Sequence, residues 1–463
     1  MSAVCLFFQI HQPFRLKRYR FFDIGNDHYY FDDFGNDEII TRIAQRSYLP
    51  ANELLLQMIQ DSNKRFKVAF SITGTALEQF QLYVPEFIDS MKKLADTGCV
   101  EFVSETYNHS LASLSNVDEF KKQVEKHDKL IYELFGQKPK VFRNTELIYN
   151  DEIGATIAEM GFKGVLTEGA KHILGWKSPN YMYSAASAPK MKLLLRNAKL
   201  SDDLSLRFSD SNWHEFPLTA DKYISWIAQS PKEEQIINIA MSYEVLGEIH
   251  PRETGIFDFF KALPRFAEEK GVEFWTPSEA IAKLNPVAEI TVTHPISCND
   301  EERGVSAWLG NQLQNEAFNK LYSVAERIHL CSDPRLQQDW CYLQSSDHFF
   351  YMSTKHFGDG CALFSPYESP YMAFTNYMNV LGDFIVRVEE QFPLTIENEE
   401  LNALLTTIKN QSSEIEMLNK ELSTLKTSIE NNEGTAAGTT AEAKPKKAPA
   451  RKKTTTKKAV PKE

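Results

Sequence analysis

The segment that decides the fold is Val4-Cys-Leu-Phe-Phe-Gln-Ile-His-Gln-Pro13, an apolar run that ends in polar side chains. A short apolar run of this kind is typical of a buried strand, and the residues after it carry the first candidate site residue, His11. The same pattern returns along the chain as far as about residue 286. It predicts strands over residues 4–10, 66–72, 100–104, 140–145, 164–167, 190–196, 236–241 and 272–275.

Amphipathic stretches lie between these strands and predict helices. They cover residues 51–61, 76–96, 119–135, 151–160, 220–228 and 257–269. Alternating strands and helices are typical of a parallel sheet, and seven or eight such units are too many for a small doubly wound sheet. The sequence therefore predicts an α/β fold with a closed barrel, whose functional site would lie at the carboxyl ends of the strands.

The composition changes along the chain and predicts four regions. Residues 1–286 form the barrel, and residues 287–395, which are helical in pattern and rich in aromatic residues, form a helical domain. Residues 396–432 carry apolar side chains at heptad spacing over 401–429 and predict a coiled-coil helix, with an amphipathic helix packed on its own body as the alternative. Residues 433–463 are rich in Lys, Ala and Thr and predict a disordered tail.

The charge is unevenly distributed. The chain of 463 residues has a net charge of −12, but residues 433–463 hold nine Lys or Arg against three Glu. The remaining body is therefore strongly acidic, which argues against a nucleic-acid-binding core. The basic tail predicts contact with a polyanion or, alternatively, a solubilising tail without a partner.

The start of the chain lacks a basic segment and a small-residue cleavage site, and no apolar stretch is long enough to span a membrane. The six cysteines include no CxxC pair, which favours reduced thiols. We therefore expect a cytoplasmic protein.

Ionisable residues follow several of the predicted strands. His11 follows the first strand, Glu105 and His109 the third, Glu146 the fourth, and Glu168 and Glu244 two later ones. A structural protein has little reason to gather carboxylates and histidines at one rim, where each meets like charge or desolvation. Each residue taken alone fits a hydrogen-bonding or solvated role equally well, so the expectation rests on their convergence.

The loop after the first strand adds aromatic residues beside acidic ones. Aromatic faces suit the apolar C–H surfaces of pyranose rings, although a plain packed loop fits this composition as well. The loop aromatics are Tyr19, Phe21, Phe22, Tyr29, Tyr30, Phe31 and Phe34. Carboxylates with such rings suggest glycoside chemistry, which needs two carboxyl groups. Metal-dependent hydrolysis through His11 or His28 is the competing interpretation, but the spacing of metal ligands is missing, and we expect no metal or other cofactor.

Five ordered motifs now stand out: His11-Gln-Pro13, Glu105-Thr-Tyr-Asn-His-Ser110, Thr145-Glu146, Met241-Ser-Tyr-Glu-Val-Leu-Gly-Glu248 and Ser306-Ala-Trp-Leu-Gly-Asn311. With these motifs, and with Ser346-Asp-His-Phe-Phe-Tyr-Met352 downstream, the chain resembles glycoside hydrolase family 57 and its α-amylase branch. The resemblance covers roughly residues 1–393. It implies an incomplete (β/α)7 barrel followed by a helical domain that completes the cleft, and a retaining mechanism on α-1,4-glucans without a metal.

The resemblance also implies roles for single residues. Glu146 stands at the nucleophile position, and the predicted substrate-binding residues are His11, Glu105, His109, Tyr243, Trp308 and Asp347. The acid/base aspartate of the family falls at Ser242, and a serine hydroxyl is no replacement for a carboxylic acid. General acid/base catalysis contributes about 10²–10⁴-fold, so this substitution predicts impaired turnover.

Glu244 is a candidate substitute acid. In an extended strand it would share a face with Ser242 at a distance of about 7 Å. Two hypotheses follow from this part of the sequence. The chain is either an α-glucan hydrolase or transglycosylase with a relocated acid, or an α-amylase-like protein that binds α-glucan or maltooligosaccharide without turnover.

Overall fold

The computed structural model describes residues 3–355, residues 365–391 and scattered positions between Leu404 and Leu422. The chain divides into two compact units, Met1–Phe392 and Pro393–Glu463. All the elements below belong to the first unit. The predicted coiled coil lies mostly outside the described residues and the tail lies wholly outside them. The described positions from Leu404 to Leu422 are helical.

The strands of the first unit belong to one sheet. They are β1 (Ala3–Ile10), β2 (Val68–Ile72), β3 (Val100–Phe102), β4 (Val141–Arg143), β5 (Gly164–Glu168), β6 (Tyr183–Ala185), β7 (Ala188–Arg196), β8 (Ile236–Ser242), β9 (Glu273–Phe274) and β10 (Glu289–Ile290). Each strand that the sequence predicts is present within a few residues. Neither β6 nor β10 was predicted from the sequence.

Parallel pairing closes part of this sheet into a ring. The order around the ring is β1, β2, β3, β4, β5, β7, β8 and back to β1. The contact between β7 and β8 is a single register pair, Arg196 with Asn238. The side chain of Asn238 strengthens it by donating from Nδ2 to the carbonyl of Leu195 at 3.0 Å. The ring has seven parallel strands, one fewer than the eight of a complete (β/α)8 barrel. The predicted incomplete (β/α)7 barrel is therefore confirmed.

Helices surround the ring. Those up to residue 283 are α1 (Asp33–Ile43), α2 (Leu49–Asp61), α3 (Gly74–Tyr83), α4 (Pro85–Asp96), α5 (Val117–Phe135), α6 (Asp151–Glu159), α7 (Lys171–Leu174), α8 (Ala198–Ser205), α9 (Ala220–Ala228), α10 (Ile256–Lys270) and α11 (Pro277–Lys283). A π-helical turn, Ala44–Tyr48, joins α1 to α2. Later in the chain come α12 (Ser306–Leu309), α13 (Gln312–Tyr322), α14 (Ala325–Leu330), α15 (Pro334–Leu343), α16 (Ser346–Phe350) and α17 (Pro370–Glu390).

The prediction of one helix over residues 76–96 was wrong. The segment forms α3 and α4, with a break at Val84, whose φ is −141° and ψ is 61°. Pro85 has no backbone N–H to continue the first helix, and it disfavours helical angles in the residue before it.

The interior of the ring has an apolar layer and, toward the carboxyl ends of the strands, a polar one. The apolar layer takes one residue from each ring strand or its direct continuation: Phe7, Ala69, Val103, Val141, Leu166, Leu194 and Ala240. Two residues further along each strand, side chains return to the same face. Those positions hold Gln9, Ser71, Glu105, Arg143, Glu168, Arg196 and Ser242. The barrel therefore has a packed floor, and above it a ring of polar side chains.

The helices α12–α17 pack on the outside of this barrel. One continuous hydrophobic cluster contains barrel residues such as Phe142 and Leu193 together with Trp308, Phe349 and Phe384. This shared core places α16 beside the polar end of the ring, where it contributes a side chain to the site.

Candidate active site

Two stacked histidines occupy the centre of the polar end. The rings of His11 and His109 lie 4.1 Å apart. His11 Nδ1 is 2.9 Å from Thr73 Oγ1, and its Nε2 is 2.8 Å from Asp347 Oδ2. Asp347 comes from α16, so the loops after β1, β2 and β3 and the helical region meet at this point.

His109 lies between two carboxylates. Its Nε2 is 3.0 Å from Glu146 Oε1, and its Nδ1 is 3.5 Å from Glu105 Oε2. Burial opposes a charge on this ring, but the hydrogen bonds to Glu105 and Glu146 outweigh burial and raise the pKa of His109 to about 9. His109 is therefore a cation at neutral pH. For His11, burial and the charge of His109 lower the pKa, so its ring is neutral.

Glu146 is an ionised carboxylate at the edge of this cluster. Burial favours its neutral form, but the hydrogen bond and charge of His109, helped by Arg143, lower its pKa to about 2. Its side chain is 27% exposed. An anion that is partly open to solvent and held by a cationic histidine has the properties of a nucleophile.

The backbone at these residues is strained. Glu146 has φ 49° and ψ 31°, and Leu147 and His109 have φ values of 57° and 53°. Side chains with a Cβ avoid this left-handed region, and such outliers cost about 1–3 kcal/mol each and cluster at functional sites. Two of these three residues, His109 and Glu146, form the ion pair.

Ser242 ends β8 beside this cluster. It is in register with Gln9 of β1, whose Nε2 lies 3.3 Å from His109 Nε2. Ser242 and Glu146 are therefore at the same end of the barrel, joined through the contacts of Gln9 and His109.

The expected 7 Å separation of Ser242 and Glu244 was wrong. The strand stops at Ser242, and Tyr243–Val245 forms a 3₁₀ turn that folds Glu244 back. The Ser242 hydroxyl hydrogen-bonds Glu244 Oε2, and Oε1 accepts from the Tyr48 hydroxyl and from Gln12 Nε2. Burial outweighs these hydrogen bonds and raises the pKa of Glu244.

Two of the predicted substrate-binding residues lie in the core. Tyr243 is fully buried, and its hydroxyl donates to Asn52 Oδ1 at 2.8 Å. Trp308 is 2% exposed and contacts Phe350. Their contact with substrate stays a prediction. In this structure both side chains pack in the hydrophobic core.

The polar end also holds residues that sequence reasoning missed. Arg143 contacts Gln9 and lies 3.9 Å from Glu105, and Cys298 Sγ is 3.5 Å from Glu146 Oε2. A charged residue at an inward position of a predicted strand was the available signal for Arg143. Nothing in the sequence marked Cys298, because it comes from a loop far along the chain.

Glu168 forms a separate ion pair. Its Oε2 is 3.2 Å from Arg196, which also contacts Asp202. Burial outweighs this partner and raises the pKa of Glu168. Glu168 is thus part of a buried network at the end of β5, next to the strand that leads to Glu146.

The aromatic loop is divided between core and surface. Tyr19, Tyr30 and Phe31 are buried, and the Tyr30 hydroxyl donates to Asp383 of α17 at 2.5 Å. Phe21, Phe22 and Phe34 are more than two-thirds exposed. Packing against α17 therefore explains the buried rings of this loop.

Among the residues that the structure describes, no group of three or more His, Cys, Asp or Glu side chains is arranged to hold a metal ion. His11 and His28 contact different carboxylates, Asp347 and Asp383. In the same described ranges, no helix has the length and apolar character needed to cross a bilayer.

Comparison with known proteins shows which family model the chain matches. Residues 5–293 match the model of Glycosyl hydrolase family 57. A protein of Methanocaldococcus jannaschii named "Putative alpha-amylase" is 42% identical over 399 residues, which are 83% of this chain and 84% of that protein.

Two solved structures share the fold at low sequence identity. The branching enzyme of Thermococcus kodakaraensis has a TM-score of 0.62 at 13% identity, over 87% of this chain and 93% of that one. The 4-alpha-glucanotransferase of Thermococcus litoralis has a TM-score of 0.59 at 15% identity, over 85% of this chain. The chain spans 60% of the length of that glucanotransferase.

Proposed function

The chain belongs to glycosyl hydrolase family 57, and on that premise we propose that it acts on α-1,4-glucans by a retaining mechanism with Glu146 as the nucleophile. The observation that carries this proposal is the ion pair between His109 and Glu146 at the open edge of the polar ring. It keeps the carboxylate ionised over the whole working pH range. The family relative named as an alpha-amylase supports the substrate class.

This chain differs from a typical retaining enzyme at the second carboxyl group. It normally lies about 5–5.5 Å from the nucleophile and protonates the leaving oxygen. Ser242 occupies the place where the family has its acid/base aspartate, and the Ser242 hydroxyl is hydrogen-bonded to the buried carboxyl group of Glu244. We therefore propose slow turnover of natural glucans with the glucan site retained.

A second candidate function is glucan binding without turnover. The substitution at Ser242 favours it, because a hydroxyl alone supplies no proton at neutral pH. The two candidates differ in one step, formation of the glycosyl–enzyme bond at Glu146.

Fluoride release from an α-maltosyl fluoride tests this step, because fluoride leaves with little protonation. We expect release by the native protein and its loss, by 10³-fold or more, in Glu146→Gln. Glu152→Gln, an exposed glutamate on α6, is the matched control. Bound maltooligosaccharide without fluoride release in the native protein supports the binding function and contradicts the enzyme.

Replacing Ser242 by Asp tests the assignment of residue 242 to the acid/base position. A carboxylic acid at this position restores direct protonation, so Ser242→Asp should raise kcat/KM on maltooligosaccharides by about 10-fold or more. An unchanged or lower rate, with fluoride release intact, would contradict the assignment of residue 242 to the acid/base position.

For the remaining segments we propose self-association through residues 401–429 and contact of the tail with polyanions. Heptad spacing and the concentration of Lys and Arg support these roles. We also propose a cytoplasmic location, which the unpaired state of the described cysteines supports.

A further inference from the structure

The two oxygens of the Glu244 carboxyl group have different surroundings. Oε1 faces two donors, the Tyr48 hydroxyl and Gln12 Nε2, the latter at 3.3 Å. Oε2 faces the Ser242 hydroxyl. A hydroxyl both donates and accepts, whereas the Gln12 amide nitrogen only donates. Gln12 Nε2 also donates to the Tyr48 hydroxyl oxygen at 3.3 Å, which orients the Tyr48 proton toward Oε1. When Glu244 is neutral, its proton therefore belongs on Oε2, and the hydrogen bond to Ser242 runs from the carboxyl group to the hydroxyl oxygen.

This reversal frees the proton of Ser242. While Glu244 is ionised, the Ser242 hydroxyl donates to it. Once Glu244 is neutral, Ser242 accepts from Glu244 and its own O–H can turn toward another acceptor. Glu244 is 5% exposed and Ser242 is half-buried, so the serine is the more accessible of the two groups.

Ser242 lies beside the cluster that holds Glu146. Gln9, its register neighbour, contacts His109, and His109 holds Glu146. The serine hydroxyl and the nucleophile therefore belong to one cluster of contacts at the polar end.

We propose that Glu244 is the general acid of the reaction and that it delivers its proton through the Ser242 hydroxyl. This inference rests on the proposed function, with Glu146 as nucleophile. It makes Ser242 a catalytic residue, whereas Tyr48 and Gln12 are positioning residues that act through Glu244.

The first half-reaction forms the glycosyl–enzyme bond. A Glu146 oxygen forms a bond to C1 of the sugar while the bond from C1 to the glycosidic oxygen breaks. The leaving oxygen takes the proton of Ser242, and Ser242 takes the proton of Glu244 Oε2, which becomes a carboxylate. In the second half-reaction, the oxygen of a water or sugar hydroxyl forms a bond to C1 while the bond from C1 to Glu146 breaks and frees the Glu146 carboxylate. The attacking oxygen gives its proton to Ser242, which passes its own back to the Glu244 carboxylate.

The surroundings of Glu244 suit an acid. Burial raises its pKa, and the hydrogen bonds from Ser242, Tyr48 and Gln12 oppose the rise. The titratable and charged groups that face it are Tyr48 of the π-helical turn and Arg15, which reaches Gln12 Oε1 at 2.9 Å. Because the acid must be neutral, activity on natural glucans falls as pH rises through the pKa of Glu244.

The test compares two substrates, α-maltosyl fluoride and a maltooligosaccharide, in the full-length protein. Ser242→Ala and Glu244→Gln should each lower kcat/KM on the maltooligosaccharide by about 10²-fold or more and leave fluoride release within about threefold. Ser242→Thr, which keeps a hydroxyl, should retain most of the native rate. Ser47→Ala removes a buried hydroxyl next to Tyr48 that donates to the backbone carbonyl of Tyr243, not to the Glu244 carboxyl group, and is the matched control.

The pH profile separates relay from structural support. Tyr48→Phe removes a donor that stabilises the carboxylate, so the pKa of Glu244 rises and the alkaline limb of kcat/KM moves to higher pH. In Glu244→Gln that limb should disappear. If Ser242 only fills space, the alkaline limb of kcat/KM should be unchanged in both Tyr48→Phe and Glu244→Gln.

Several outcomes would overturn the relay. These are fluoride release with no turnover of the maltooligosaccharide, a Ser242→Ala variant with the native rate on both substrates, or an alkaline limb that survives in Glu244→Gln. Absence of fluoride release in the native protein, by contrast, overturns the proposed function and the relay with it.

Discussion

At the scale of single residues, the site is organised by one buried cation. His109 is 3% exposed at its side chain and separates two carboxylates that would otherwise repel each other. It also occupies a strained backbone conformation, as does its partner Glu146. The strain and the charge pairing together fix the direction of the nucleophile.

Removing this cation should move the acid limb of activity. In His109→Gln, the pKa of Glu146 rises from about 2 toward the ordinary value for glutamate, so loss of fluoride release on acidification begins about two pH units higher. The pH dependence of kcat/KM on α-maltosyl fluoride measures this shift. His172→Gln, on the exposed surface of α7, is the control, and an unmoved limb in His109→Gln would contradict the pairing.

The same pair predicts how stability depends on pH. The pKa of His109 is raised to about 9 in the folded chain, above about 6.5 for an unfolded histidine. Its contribution is therefore complete below about pH 6.5 and is lost as pH rises through about 9. Urea denaturation of the native protein across this range should show a loss on the order of 1–3 kcal/mol. His109→Gln should lack this component, and equal slopes in the two proteins would contradict the shift.

At the scale of elements, strand ends position the chemistry. The loop after β4 turns through Thr145–Leu147 and leads directly into α6, so the start of α6 anchors the strained turn at Glu146. Asn150 caps α6, because its side chain accepts from the backbone N–H of Ile153. Glu146 therefore lies between a strand and a capped helix.

Removing this cap should cost stability. Asn150→Ala leaves the N–H of Ile153 without its partner and should lower the free energy of unfolding by about 1 kcal/mol. Urea denaturation measures this, with Thr156→Ala at a half-buried position of α6 as the reference. Equal unfolding midpoints for the two variants would show that the cap contributes nothing.

The sequence was informative about elements and less so about contacts. Apolar runs predicted the ring strands, because a barrel strand is buried on both faces and its pattern is local. The pairing of His11 with Asp347 joins residues more than 300 positions apart and was not predicted, although the family motifs contain both residues. The turn at Tyr243–Val245 was missed because a 3₁₀ turn directly after a strand lacks a period of its own.

The π-helical turn is the element that sequence periodicity could not reveal. It places the Tyr48 hydroxyl on Glu244, 196 residues away in sequence. Such turns shift the register of a helix by one residue and are frequent at functional sites. The surroundings of Glu244 therefore depend on a local irregularity rather than on a motif.

At the scale of the whole molecule, the chain consists of two units, Met1–Phe392 and Pro393–Glu463. The unit Met1–Phe392 contains the barrel, the helices α12–α17 and every candidate site residue. The described apolar residues between Leu404 and Leu422 are exposed. Exposed apolar residues at heptad spacing are typical of a helix that associates with another copy.

Truncation should separate assembly from activity. We expect the full chain to sediment as an oligomer, a chain ending at residue 432 to do the same, and a chain ending at residue 392 to be monomeric. All three should release fluoride from α-maltosyl fluoride at similar rates per subunit. Analytical ultracentrifugation measures the assembly, and a monomeric full chain at micromolar concentration would contradict the coiled coil.

The central claim, that Glu146 attacks the anomeric carbon, is tested most directly by trapping the covalent intermediate. Protein quenched in acid during turnover of α-maltosyl fluoride would be digested and its peptides analysed by mass spectrometry. We predict a maltosyl group on Glu146 and none in the Glu146→Gln variant. Fluoride release with an unmodified Glu146, or with the sugar on another side chain, would contradict the claim.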